Sequence, residues 1–314
     1  MNSVTVNDLR ALTLPKPSSH KGQNGRLLVI GGSHLFHAAS LWALEVASRI
    51  VDLVHYSSVP ENNELVIKIK SEFRDGIVVP RGEIDAYIEE DDCILIGPGM
   101  VRDQETEELI NTLLKKYPDK QWVIDAGSLQ MMDVSLIPKN AILTPHHGEF
   151  ASLLARAEVA RPIFRAARSP ANAGAPSAGI SKLSKLPARS EEEKVKLFAK
   201  TYQCIVLLKG QKDIVCRGEG CEPSEAKGSQ PSWTPSECRV IEGGNEGMTK
   251  GGTGDVLAGL IAALACKNDP FLATIAGSFI NKKAGDELYK TVGPFFNASD
   301  LAGQIPQTMK NLLL

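Results

Sequence analysis

"CILIGPGMVRDQETEELINTLLKKYPDKQWVIDAG", residues 93–127, outlines a strand, a helix and a second strand. CILIGPG (93–99) and QWVIDAG (121–127) each carry a short apolar run that closes on a glycine-containing turn. Strands buried on both faces read as continuous apolar runs, as in parallel sheets covered by helices. Between the two runs a polar helix is expected near residues 102–116. The same unit recurs outward. RLLVIGG (26–32) leads to a helix from about His37 to Ile50, and AILTP (141–145) is another buried strand. CIVLLKG (204–210) follows a charged helix opening at Ser190, where SEEE suits a cap and an acidic first turn. KDIVCRG (212–218) is expected to return as a hairpin, and a last apolar helix begins near Thr253. The fold class is therefore α/β, a mostly parallel sheet flanked by helices. Ligands of such sheets bind beyond the carboxyl ends of the strands, where the GGS, GPG, DAG and KG turns fall.

Two stretches break the alternation. Residues 156–189 are rich in Ala, Ser, Pro, Gly and basic residues, and residues 218–237 are rich in Gly, Pro and Ser. Both are expected as loop insertions, because β/α alternation resumes after each. Residues 1–314 are thus read as one decorated domain. An apolar share of 43% supports a sizeable core, and 35 basic against 37 acidic residues, without long blocks, argue against nucleic acid or a membrane as partner. No signal-peptide core opens the chain, and the six cysteines show no CxxC pair; the expectation is reduced thiols in a cytoplasmic protein.

The chemistry concentrates in GGNEGMTKGGTGDVLAG (243–259). Gly251, Gly252, Thr253 and Gly254 can aim successive N–H groups at one phosphate ahead of a helix N-terminus. Asp255 would then stand beside an anion, either as a proton-accepting base or as an ordinary acid in the first helical turn. In LLKGQKD (207–213), Lys209, Gly210, Gln211, Lys212 and Asp213 form a strand-end turn that suits a nucleotide or an exposed hairpin. LTPHHGEF (143–150 with its leading Leu) places His146 for a substrate hydrogen bond and Glu149 near a nucleotide's Mg²⁺, directly or through water; helix capping is the plainer alternative. Asp125 ends its strand at a position common to Mg²⁺ neighbours and to caps.

In that order the motifs resemble the ADP/ATP-dependent NAD(P)H-hydrate dehydratases, the carbohydrate-kinase-like half of a two-part nicotinamide-repair system. The resemblance runs from SHKGQNGRLLVIGGS (19–33) through VPENNEL, ILIGPGM, VIDAGSL, LTPHHGE and LLKGQKDIV to NEGMTKGGTGDVLAG (245–259), and more weakly to NASDLAGQIP (297–306). It implies a ribokinase-like three-layer sandwich. It implies repair of hydrated NADH or NADPH (the 6S epimer) with ADP, or less favoured ATP, as phosphoryl donor and Mg²⁺ as cofactor. Ala39, Gly99 and His146 would border the hydrated nicotinamide nucleotide; Lys209–Asp213 and Gly254 would hold the donor; Asp255 would take the proton of the 6-hydroxyl. The resemblance further implies a homotetramer and a stand-alone form served by a separate epimerase. This chain departs from the family at the early turn, where Ala38 stands for the usual glycine. It departs again at Ile50-Val51-Asp52, where Gly-Ala-Gly is usual, and in the length of the 156–189 insertion. Two rivals need the same nest: a small-molecule alcohol kinase of this fold, and a nucleotide-binding regulator without turnover.

Overall fold

The computed structural model describes residues 2–167, 190–218 and 237–314. One ten-stranded sheet organises them. Its strands are β1 (Asn2–Ser3), β2 (Arg26–Ile30), β3 (Leu53–Ser57), β4 (Ile77–Val78) and β5 (Cys93–Ile96). The rest are β6 (Gln121–Ile124), β7 (Ile142–Leu143), β8 (Ile205–Leu208), β9 (Asp213–Arg217) and β10 (Glu237–Ile241). The spatial order is β1-β10-β9-β8-β7-β6-β5-β2-β3-β4. From β8 to β4 every pairing is parallel, and β9 alone runs against its neighbours, as the hairpin reading of 212–218 required.

Helices cover both faces. They are α1 (Val6–Leu9), α2 (Ala38–Ala47), α3 (Pro60–Lys68), α4 (Ile84–Glu90), α5 (Gln104–Lys116) and α6 (Ala126–Met131). Then come α7 (His147–Ala167), α8 (Glu191–Tyr202), α9 (Thr253–Ala265), α10 (Pro270–Val292) and α11 (Ala298–Leu313). Alternation within β2 shows the three layers: Leu27 and Val29 enter the core under α2, α9, α10 and α11, while Leu28 and Ile30 enter the core under α4 to α8. The polar helix expected near 102–116 starts two residues later because Asp103 caps it, its carboxylate accepting from the Thr106 amide. α8 opens with the capping box of Ser190 and Glu193.

Two expectations change. α7 continues to Ala167, so the stretch expected to leave the pattern at Arg156 begins as helix; residues 168–189, and 219–236 of the second loop, lie outside the described residues. The thiols are not all reduced. Register sets Cys216 of β9 directly opposite Cys238 of β10, with Cα atoms 4.2 Å apart, and the two form a disulfide. Their 22-residue separation gives no sequence framework, because the hairpin and not local spacing brings them together. No helix among the described residues is long and apolar enough to cross a membrane.

The chain lays β2, β3 and β4 in one direction, then returns beside β2 and lays β5 to β8 in the other. That reversal leaves a crevice beyond the carboxyl ends of β2 and β5, the usual ligand position in doubly wound sheets. α9, apolar on every side, lies buried between α2, α10 and the sheet, and it points its N-terminus at this end.

Candidate active site

The start of α9 is built to remain open. Gly252 has φ +95°, and a Cβ there would lie 2.4 Å from the Trp42 ring, so both conformation and space demand glycine. No side chain caps α9. The Thr253 hydroxyl instead donates to the carbonyls of Met248 and Lys250 and ties down the loop before the helix. The Gly254 amide thus keeps its donor for a ligand, while the Asp255 amide turns toward its own carboxylate, and the helix field favours an anion there.

Asp255, the third residue of α9, meets groups from two strand ends. Asp125, just past β6 and almost fully buried, accepts from Lys209 Nζ at 2.9 Å and from the Thr144 hydroxyl at 2.8 Å. The next residue, Ala126, holds φ 45°, a strained setting for a side-chain-bearing residue of the kind that gathers at functional sites. Glu149, in the first turn of α7, accepts from Gln130 at 3.1 Å and from the His146 amide at 2.9 Å. One ammonium therefore stands among three carboxylates. Burial drives the Lys209 ammonium toward lower pKa, but Asp125 and Glu149 outweigh it and hold the group above its ordinary value. Burial, reinforced by the charge of Asp125 and opposed by Lys209, pushes the Asp255 carboxyl up to about 7.

The Gly251–Asp255 turn separates two clefts. The first, about 850 Å³, is lined by Ala39, Gly99, Gly251, Gly252 and Asp255 among others. The second, about 700 Å³, is lined by His146, Lys209, Gly210, Gln211, Thr253 and Gly254 among others. Ala39 and Gly99, far apart in sequence, pack so closely that a Cβ on Gly99 would lie 2.9 Å from that of Ala39. His146 does not join them: it bridges to Lys209 on the β7/β8 side and lines the second cleft. Sheet order explains the separation, since β6 and β5 stand between β7 and β2.

Within the KGQKD turn the roles divide. Asp213 is buried, and its carboxylate is occupied by the Gly210 amide, the Ser278 hydroxyl and the Lys282 ammonium, so it shapes the turn. Lys212 points away and pairs with Glu242 at 2.6 Å; it is absent from the cleft lining. Sequence reasoning placed Asp125 at a strand end but missed its pairing with Lys209. The signal is a buried strand closing on an acid opposite another strand closing on a lysine.

Mg²⁺ that travels with a nucleotide needs one or two carboxylates and takes its remaining ligands from phosphates and water. Among the described residues no three or more His, Cys, Asp or Glu side chains are arranged so that they could hold a metal ion. Glu149, buried behind His146 of the second cleft's lining, its two oxygens each accepting one hydrogen bond and keeping a lone pair, fits the smaller requirement.

The sequence profile of the NAD(P)H-hydrate dehydratase family, of the carbohydrate-kinase type, matches residues 27–307. The chain is 31% identical over 96% of its length to the bifunctional NAD(P)H-hydrate repair enzyme of Methanocaldococcus jannaschii, and it spans 52% of that relative. It is 31% identical to the ADP-dependent (S)-NAD(P)H-hydrate dehydratase of Nitrosopumilus maritimus, with 94% of this chain and 92% of that one covered. In fold it is similar to the ADP/ATP-dependent NAD(P)H-hydrate dehydratase of Bacillus subtilis crystallised with ATP and Mg²⁺, at TM-score 0.73 and 23% identity, covering 99% of this chain and 98% of that one. The chain spans about half the length of the bifunctional relatives and nearly all of the single-function one. With the open α9 turn, its carboxylate and the two clefts in the matched region, the chain belongs to the NAD(P)H-hydrate dehydratase family.

Proposed function

We propose that this chain returns the 6S hydrates of NADH and NADPH to the reduced dinucleotides, using ADP in preference to ATP and releasing AMP and phosphate. The observation that carries the reading is Asp255 on the turn between two clefts, its carboxyl pushed up to about 7. A base whose pKa lies near working pH is still deprotonated there and takes a proton from an alcohol more readily than an ordinary aspartate does.

In this reading the hydrated nicotinamide lies in the first cleft against Ala39 and Gly99, and the donor lies in the second against Lys209, Gly210 and Gln211. The α9 amides hold the transferring phosphoryl group, where they meet the charge that develops on its oxygens. Asp255 takes the 6-hydroxyl proton as that oxygen attacks phosphorus. Lys209, held by Asp125, lowers the repulsion between the carboxylates and the incoming phosphates. Mg²⁺ held near Glu149 would neutralise donor phosphate charge when bound. The 6-oxygen then departs as phosphate, a far better leaving group than hydroxide. A separate epimerase would supply the 6S form.

The test is hydrated NADPH with Mg²⁺ and either ADP, ATP or no nucleotide. Near-ultraviolet absorbance of the reduced nicotinamide and free phosphate are followed together. Both signals rising with ADP support the reading. A stable phosphorylated product in place of free phosphate assigns the chain to the alcohol kinases. Folded protein that binds ADP and turns over nothing leaves the regulator reading.

A further inference from the structure

We propose that His37 is a second catalytic residue, accepting the proton from ring carbon 5 as phosphate leaves, and that Asn62 is the positioning residue that makes it a base. The assignment rests on the dehydratase reading above. Loss of the 6-oxygen completes only half of a dehydration. The C6–O bond breaks with its electron pair passing to phosphate, and the ring nitrogen's lone pair forms a double bond to C6. The C5–H bond must then give its pair to C5=C6, its proton must find an acceptor, and the nitrogen recovers its lone pair. Asp255 cannot serve, because it already carries the hydroxyl proton from the same turnover.

The first cleft offers one other base. Of the described residues that line it, only Asp255 and His37 bear a carboxylate or imidazole, the side-chain groups that serve as proton acceptors. Arg102 stays charged, and Gln130 is an amide. His37, at the entry to α2, has its Nδ1 2.5 Å from Asn62 Oδ1. Asn62 is 1% exposed, and its Nδ2 donates to the Ser33 carbonyl at 3.3 Å and the Ser58 hydroxyl at 3.1 Å. With the amide nitrogen spent on two acceptors, the atom facing the imidazole is the oxygen, which can only accept. Nδ1 must therefore carry the hydrogen, leaving the lone pair on Nε2. A hydrogen bond that fixes the tautomer in this way is how enzymes orient a histidine base.

Gly32 makes room for the device. A Cβ there would lie 2.3 Å from both Asn62 Nδ2 and Ser58 Oγ. The GGS turn after β2 thus admits a buried amide behind the substrate cleft. In this chain His37 occupies the early turn that also departs from the family at Ala38.

The experiment is a single turnover of hydrated NADH with ADP and Mg²⁺, with AMP and reduced nicotinamide measured in parallel. Substrate carrying deuterium at ring carbon 5 is compared with the unlabelled form. Wild type is expected to form both products together. His37→Ala, an exposed substitution, is expected to form AMP at close to the wild-type rate while the absorbance returns about 10²-fold more slowly, the usual scale for losing a general base. It should show a primary isotope effect from deuterium at carbon 5 and partial rescue by free imidazole. Asn62→Ala should show the same split at about 10-fold. Absorbance returning in His37→Ala within about threefold of wild type, well inside that scale, with no isotope effect, overturns the proposal. So does a fall in AMP formation that matches the fall in absorbance, which would make His37 a binding or phosphoryl-transfer residue. Failure of the wild type to return absorbance with any nucleotide sinks the dehydratase reading itself.

Discussion

A carboxylate that takes a proton from an alcohol near neutral pH does so better when its own affinity for protons is raised, and burial and a neighbouring like charge raise it in this site. Asp255 reaches about 7 through burial and through Asp125, against the pull of Lys209. Activity is therefore expected to fall on an acidic limb near pH 7. Asp125→Asn removes a like charge and should move that limb to lower pH. Lys209→Met removes the opposing cation and should move it higher, with a raised KM for ADP. A limb that stays put in both variants, measured as kcat against pH, would remove Asp255 as the titrating base. Asp255→Asn should lower kcat by about 10²–10⁴-fold. It should also stabilise the fold. The folded pKa lies above the unfolded value of 3.8, so the folded state binds the extra proton between those values and carries the full burial penalty only above about pH 7. Thermal melts should place Asp255→Asn above wild type by up to about 4 kcal/mol at pH 8, with the gap closing as pH falls toward 4. Asp255 itself was legible in GGTGD, since a nest before an apolar helix is local. The Asp125–Lys209 pair was not, because 84 residues separate partners that only the sheet order brings together.

At the scale of elements, the strands were the plainest feature, because a strand buried on both faces has no other composition open to it. The turns after them were legible as glycine-bearing but not as to purpose: Gly252 serves the Trp42 contact and Gly32 admits Asn62, facts that belong to packing. His146, which the resemblance gives to the dinucleotide, stands beside Lys209 in the lining of the second cleft, because a strand end is located by its neighbours in the sheet. The Gly252 turn gives an element-scale prediction. Trp42 cannot retreat freely, since its indole N–H donates to the Ser299 hydroxyl at 2.9 Å. Gly252→Ala adds both a ring clash and an unfavourable positive φ, and should cost about 2–3 kcal/mol in urea unfolding. The start of α9 would shift with it, so KM for both substrates should rise. A variant as stable as wild type with unchanged KM values would show that the turn is not held by Trp42.

For the molecule as a whole, the division of labour follows from strand order. The first cleft stands at the β2/β5 reversal and the second at the ends of β7 and β8, with the N-terminus of one buried helix between them. Each cleft borders the helix start from its own side, so neither ligand has to leave for the other to enter. In the proposed reaction the phosphoryl group passes directly from donor to hydroxyl, and Asp255 moves a proton without carrying the phosphoryl group. Initial-rate lines for ADP and hydrated NADPH should therefore intersect, as they do when both substrates are bound together, and no phosphorylated enzyme should accumulate with ADP alone. ADP alone should still bind, and at about 100 times its Kd it should stabilise the fold by about 2.7 kcal/mol, visible as a melting shift of several degrees. Parallel initial-rate lines with a trapped aspartyl phosphate at Asp255 would mean that the carboxylate is a nucleophile and that the two clefts work in turn. Intersecting lines with independent binding of each ligand would instead place the whole of the donor chemistry on the shared turn.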